Sequence, residues 1–417
     1  MDQFIRGTVA DEMGDYYRAV FHYQEALRWD SSSAFIYVAL ARDYILLGSL
    51  ALAEETINRV LARHEDNRPA LELKGVVLRG SSRLPEARDN ARRLLQLAPD
   101  NLEYLRQLLA LDLVLSDFDE AERIHARIVE TGGDSPELSR RVLAAYLVNG
   151  QGERALALAR RLIADDSTDA EMVYALGSAY LATRDTLNAV LWVSRAAQLK
   201  PAEPRYWLGW ALLCSDGGRE AEAVSIVDSA LDNLPPHAGL LSTKGIALYR
   251  LGRRAEAVAA LSQAISLDTT LFGTMGTLAL VYDEMDSVAR AAETYEKAIQ
   301  ASDSAAVFLN NLAYTYASRG IELDKARVLT ERALLRDPGN GAYLDTMGWI
   351  EFGLGRYEEA LRWLKKAIKQ RTGGAEVFEH IGDTYMKLGS RAKALKYYRQ
   401  ALDADPANET LRQKLAE

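Results

Sequence analysis

An alanine recurs every 34 residues along almost the whole of this chain. Ala19, Ala53, Ala87, Ala121, Ala155, Ala189, Ala223, Ala257 and Ala291 keep the period without a slip. One extra residue enters between Ser318 and Asp324, and the series resumes at Ala326, Ala360 and Ala394. A fixed period of about 20–50 residues marks a stacked array, in which each unit buries its apolar face against its neighbours. The 417 residues therefore read as one array rather than several globular domains. Aligned on the alanines, twelve units begin near residues 1, 34, 68, 102, 136, 170, 204, 238, 272, 306, 341 and 375. Residues 1–408 form the array, and residues 409–417 read as a short polar capping helix.

Within a unit the apolar spacing is helical. In the last one, AEVFEHIGDTYMKLGSRAKALKYYRQALDADPAN, Phe378, Ile381, Gly382 and Tyr385 form one stripe and Ala394, Tyr398 and Ala401 a second. Leu388 and Gly389 end the first helix, and Pro406 stops the second. The eighth position is small in ten units, including Gly7, Gly75, Gly245, Gly348 and Gly382, and is expected to face the recurrent alanine across a close helix crossing. Bulky residues such as Tyr44, Tyr180, Trp207, Tyr282 and Tyr316 fill the space beside it.

These positions together resemble the tetratricopeptide repeat: a bulky residue, Leu-Gly, Tyr, then Ala, an aromatic, Ala and Pro. The resemblance covers essentially the whole chain. It implies an all-α fold, a right-handed α-solenoid superhelix of about twelve antiparallel helix pairs. It also implies that the first helix of each pair lines a concave groove that binds a peptide or a partner protein.

Composition narrows the partner. The chain is 48% hydrophobic and 26% charged with a formal net charge of −9, so nucleic acid is not an expected partner. The one cysteine, Cys214, cannot form an internal disulfide. No apolar run is long enough for a transmembrane helix, and residues 1–15 do not read as a signal peptide. Met1 already lies inside the first repeat. A leader or lipidated segment upstream would place the protein in the periplasm or on a membrane; as written it reads as cytoplasmic. The uncapped first unit also leaves self-association through an open end as an expectation.

No catalytic signature stands out. His22, His64, His125, His237 and His380 are scattered without metal-ligand spacing, and no phosphate-binding glycine loop or nucleophile elbow is present. The chain reads as a non-enzyme without a cofactor or metal. The basic run Lys365 to Arg371 is expected on an outer helix, as solvated surface.

The groove is the better place to look. The resemblance puts Phe35, Arg42, Arg79, Arg106, Arg140, Arg141, Tyr174, Arg205, Tyr249, Arg250, Asn310, Tyr314, Trp349 and Phe352 on its lining. The arginines gather through the middle units. Carboxylates (Asp283, Glu284, Asp345, Glu376, Glu379 and Asp383) gather toward the end. Arginine and aromatic side chains are the residues that most often anchor interfaces. Each has a plainer reading, the arginines pairing with nearby carboxylates and the aromatics packing on the next unit. Trp349 and Phe352, three apart on one helix, share a face. The lysine and asparagine set of the family's chaperone-tail clamp is missing, although Asn310 and Asn311 fall on this side.

Units three to five depart most from the pattern. Leu109 and Leu143 occupy the small position, with Ala91 and Ala159 expected to offset the volume. Asp112 and His125 replace a tyrosine and an aromatic, and are expected to hydrogen-bond each other; this stretch is also a candidate flexible joint. The function expected is a scaffold or adaptor. The alternative is an envelope assembly factor, because LNNLAYTYASRGIELDKARVLTERALLRDPGNGAYLDTMGW looks like long bacterial repeat proteins.

Overall fold

The computed structural model describes residues 1–165, 167–301, 305–370 and 374–416. These residues form helices joined by short turns, and the chain divides into two compact units, Met1–Ala189 and Val190–Glu417.

The first unit begins with α1 (Asp2–Glu12), α2 (Tyr16–Trp29), α3 (Ala34–Leu46), α4 (Leu50–Leu61), α5 (Arg68–Gly80) and α6 (Leu84–Leu97). It continues with α7 (Leu102–Val114), α8 (Phe118–Glu130), α9 (Pro136–Val148), α10 (Gly152–Asp165) and α11 (Ala170–Ala182), and ends inside α12 (Thr186–Leu199). The second unit holds α13 (Pro204–Asp216), α14 (Glu220–Leu231), α15 (Ala238–Arg250), α16 (Arg254–Leu267), α17 (Phe272–Glu284) and α18 (Val288–Ala301). It closes with α19 (Ala305–Ala317), α20 (Leu323–Arg336), α21 (Gly341–Gly353), α22 (Tyr357–Lys369), α23 (Ala375–Lys387), α24 (Arg391–Ala404) and α25 (Glu409–Ala416).

Within each unit odd- and even-numbered helices pack as pairs, as α1 does with α2 and α15 with α16, and even helices pack on the next odd one, as α2 does on α3 and α14 on α15. The division between units falls in the sixth repeat, within α12. The chain reverses inside a pair through a left-handed residue. Glycine supplies it at Gly14, Gly48, Gly252, Gly355 and Gly389, with φ between 71° and 77°. Ser82, Ser116, Arg184 and Asp286 take the same conformation in pairs that lack the glycine.

All twelve recurrent alanines are buried, none more than 1% exposed. The small eighth position does not make its closest approach to them, however. A Cβ at Gly7 would fall 2.6 Å from the Tyr23 ring, at Gly245 2.5 Å from Leu261, at Gly348 2.6 Å from Leu364 and at Gly382 2.3 Å from Tyr398. The glycine thus makes room for the bulky side chain one turn beyond the alanine, which lies under the first helix. Where the glycine becomes Leu109 or Leu143, both leucines are buried, as are Ala91 and Ala159.

The expected Asp112–His125 bond is not formed. Asp112, on α7, faces α6, with Arg88 3.9 Å away, and neither carboxyl oxygen has a hydrogen-bond partner. Burial pushes its pKa up to about 6. His125, on α8, faces the following repeat, its Nε2 lying 3.2 Å from Ser139 Oγ. The two side chains point to opposite neighbours, so they cannot meet.

The longer turn of the tenth repeat, residues 318–322, is tied down by Arg319. Its guanidinium pairs with Asp283 at 2.8 Å and donates to the Asp283 carbonyl at 2.8 Å, both on α17.

Candidate functional site

The residues singled out for the groove all lie on odd-numbered helices. In the first unit α3 touches α5 and α9 touches α11; in the second, α13, α15 and α17 form one run and α19, α21 and α23 another. Even-numbered helices show no comparable contact with one another among the described residues. Helix pairs that approach through their first members present those members on the inner side of the stack.

In the first unit, three of the arginines spend donors within the array: Arg79 on the next repeat, Arg106 and Arg140 on the loop that closes their own. Arg79 Nη1 donates to Gln107 Oε1 at 3.4 Å, Arg106 Nη2 to the Gly133 carbonyl at 2.8 Å, and Arg140 Nη2 to Asp169 at 2.7 Å. Arg42 and Arg141 are exposed. Phe35 is 71% exposed, its ring 5.4 Å from Phe4, and Tyr174 is half-buried. The site thus offers free guanidinium groups and one open ring around a rack of fixed side chains.

The second unit carries linked clusters. Arg205 lies over the Tyr206 ring at 4.8 Å and donates to its hydroxyl. Arg250 donates to the Ser215 carbonyl at 3.1 Å. The Tyr249 hydroxyl donates to Glu284, which Arg254 also holds at 2.9 Å. Burial, then this bond, pushes Tyr249 up to about 12, while the same hydroxyl holds Glu284 below its usual value. The Tyr314 hydroxyl donates to Glu376, two repeats further on, bridging α19 and α23. Asn310 is buried, its Oδ1 without a hydrogen-bond partner.

Trp349 and Phe352 stack face to face, 4.5 Å apart and 5° from parallel. The His380 ring covers Trp349 at 4.1 Å, and its Nδ1 lies 3.0 Å from Asp345 Oδ1. Burial works against a charge on His380, but the Asp345 bond outweighs it and holds the pKa above the usual histidine value. Lys414, on α25, bonds Glu379 at 2.8 Å and Asp383 at 2.7 Å, and the Tyr398 hydroxyl also donates to Asp383. His380 and Lys414 were not among the residues singled out, although a shared spacing marks them. Each base follows its carboxylate by 35 residues, Asp345 to His380 and Glu379 to Lys414.

Of the basic run, Lys365, Lys366 and Lys369 lie on the outer helix α22, and Arg371 lies outside the described residues, as does Glu417 of the tail. His125, Ser139 and Asp134 gather but do not make a nucleophile. Ser139 Oγ donates to Asp134 at 2.9 Å and accepts from His125, and the serine is fully buried. Burial lowers the His125 pKa, and the ring joins α8 to Ser139 on α9. Cys214 is buried, and burial pushes its thiol up to about 11. Among the described residues no three His, Cys, Asp or Glu side chains gather as a metal site, and no helix is long and apolar enough to cross a membrane.

Tetratricopeptide-repeat family models match residues 38–101, 144–204, 341–369 and 375–408, and a model of the Psidin N-terminal tetratricopeptide-repeat region matches residues 213–321. A TPR repeat-containing protein of Pseudomonas aeruginosa is 28% identical over 167 residues, 40% of this chain and 28% of the relative. One from Methanocaldococcus jannaschii is 32% identical over 109 residues, 26% of this chain and 19% of the relative. The chain thus matches less than a third of the length of either. The crystal structure of a tetratricopeptide repeat protein from Parabacteroides merdae superimposes with a TM-score of 0.50 at 15% identity, covering 59% of this chain and 97% of that one. With the 34-residue period, the buried alanines and the paired helices, these matches identify the chain as a tetratricopeptide-repeat protein.

Proposed function

We propose that the chain is a non-enzymatic scaffold that binds a partner protein or an extended peptide on the face that the odd-numbered helices line within each unit. The observation that carries this reading is the fixing of that face by bonds between repeats. Arg79 to Gln107, Tyr249 to Glu284, Tyr314 to Glu376 and the Trp349–His380 stack each immobilise a long side chain before a partner arrives. Side chains ordered in advance lose less entropy on binding. Phe35, Arg42 and Arg141 remain exposed among them and supply the contacts.

The test is affinity capture from the source cell with three proteins: wild type, a Phe35→Ala/Arg141→Glu variant, and a control altered on an even-numbered helix at exposed Leu187→Ser. These substitutions leave the hydrogen bonds between repeats intact and remove only the contact of the exposed Phe35 ring with Phe4. A partner held by wild type and control but lost by the first variant supports the reading. Equal recovery by all three refutes it for the first unit, and Phe352→Ala then asks the same question of the second.

A further inference from the structure

The eleventh repeat lacks a ring that half of the repeats carry. Tyr44, Tyr146, Tyr180, Tyr282, Tyr316 and Tyr385 occupy one position of the repeat, and in the eleventh that position is Glu351. In the fourth it is Asp112. Arginine directly follows the recurrent alanine only twice, at Arg88 and Arg327, in the repeats just before those two acids. Arg327 Nε lies 3.1 Å from Glu351 Oε1, and Arg356 Nη1 lies 3.2 Å from Oε2, with the carboxylate almost wholly buried.

Beside Glu351 lies a cleft of about 780 Å³ on the outer side, between α20 and α22 and floored by α21. The equivalent clefts beside Tyr44 and Tyr282 measure about 440 Å³ and 300 Å³. Leu334, Leu335, Pro338, Met347 and Trp363 wall it, with Leu335 82% exposed at the mouth. Glu331 and Glu359 also line it, so with Arg327, Arg356 and Glu351 the cleft carries no large charge of either sign. The sibling repeats display the occupant. Cations stand over the rings of Tyr180, Tyr282, Tyr316 and Tyr385 at 5.2–5.7 Å, whereas the Arg327 and Arg356 guanidinium groups meet Glu351 at that position instead of a tyrosine ring.

We propose that this outer cleft binds an aromatic side chain presented by a partner polypeptide. Such a ring sits in the cleft beside Glu351, packs on Met347 and Leu334, and meets the Arg327 and Arg356 guanidinium groups. The site is separate from the inner face and stands whether or not that face binds a partner.

The test labels the methionine methyl groups with ¹³C and titrates the full chain with N-acetyl-tyrosinamide. The Met347 signal, assigned with Met347→Leu, is expected to shift upfield and saturate, because it comes under the ring. In Arg327→Val/Glu351→Tyr, which restores the pairing of Val258 and Tyr282, the saturable shift is expected to vanish. Leu335→Asp, at an exposed position that folding does not need, is expected to weaken it. No saturable shift in wild type, an equal one in both variants, or equal saturation by N-acetyl-cyclohexylalaninamide would overturn the proposal. Saturation by p-cresol without N-acetyl-tyrosinamide would overturn the polypeptide source.

Discussion

At the scale of single residues, burial of a carboxyl group has a measurable signature. Asp43 is fully buried on α3, and neither oxygen has a hydrogen-bond partner. Burial first, and then the nearby Asp11 carboxylate, push its pKa up to about 7, with Arg42 opposing. A folded-state pKa above the unfolded value of about 3.9 means that the folded chain holds the proton more tightly. That contribution is complete below about pH 4 and is lost as the pH rises through 7. Asp43→Asn keeps the shape and removes the titration. It should leave the urea midpoint nearly unchanged near pH 4 and stabilise the protein by about 1–3 kcal/mol at pH 8. Circular dichroism at the two pH values checks this, and an equal change at both would show that Asp43 does not hold its proton in the fold.

Helices and their pairing were legible because small residues, turn glycines and apolar stripes are local signals repeated at one period. Trp349 and Phe352 share a face for the same reason. Long polar side chains were less legible, because each chooses between the repeat before and the repeat after. Asp112 and His125 were expected to meet inside one pair, yet Asp112 turns toward Arg88 and His125 toward Ser139. The missed signal is the pairing of acid and arginine across two repeats, which shows only when residues following the alanine are read against the tyrosine position one repeat later. It makes a prediction for α7. Arg88→Val should strand the Asp112 charge and lower the opening free energy of α7 amides by about 1–3 kcal/mol. Arg88→Val/Asp112→Tyr, which rebuilds the apolar–tyrosine pair of other repeats, should recover most of that loss. Hydrogen exchange over Leu102–Val114 measures both, and a coupling smaller than about 0.5 kcal/mol would remove the pairing as an explanation.

Over the whole molecule, the repeats make stability a matter of neighbours. Helices pack within a pair, on the adjacent pair, and along the row of first helices. Damage at one repeat should therefore fade within a few repeats rather than unfold the chain at once. Gly382 provides the probe, since any Cβ there collides with the Tyr398 ring at 2.3 Å, and the ring is buried between α23 and α24. Gly382→Val should cost about 1–3 kcal/mol through overpacking. It should loosen α23 to α25, including the Lys414 bonds to Glu379 and Asp383 that hold α25. The loss should reach α21 more weakly, through the His380 contacts with Trp349 and Asp345. Amides of α3 to α9, in the first compact unit, should keep wild-type protection. Hydrogen exchange read helix by helix gives the decay directly. Uniform loss of protection from α3 to α25 would mean that the array unfolds as one cooperative body, and the nearest-neighbour account would then fail for this protein.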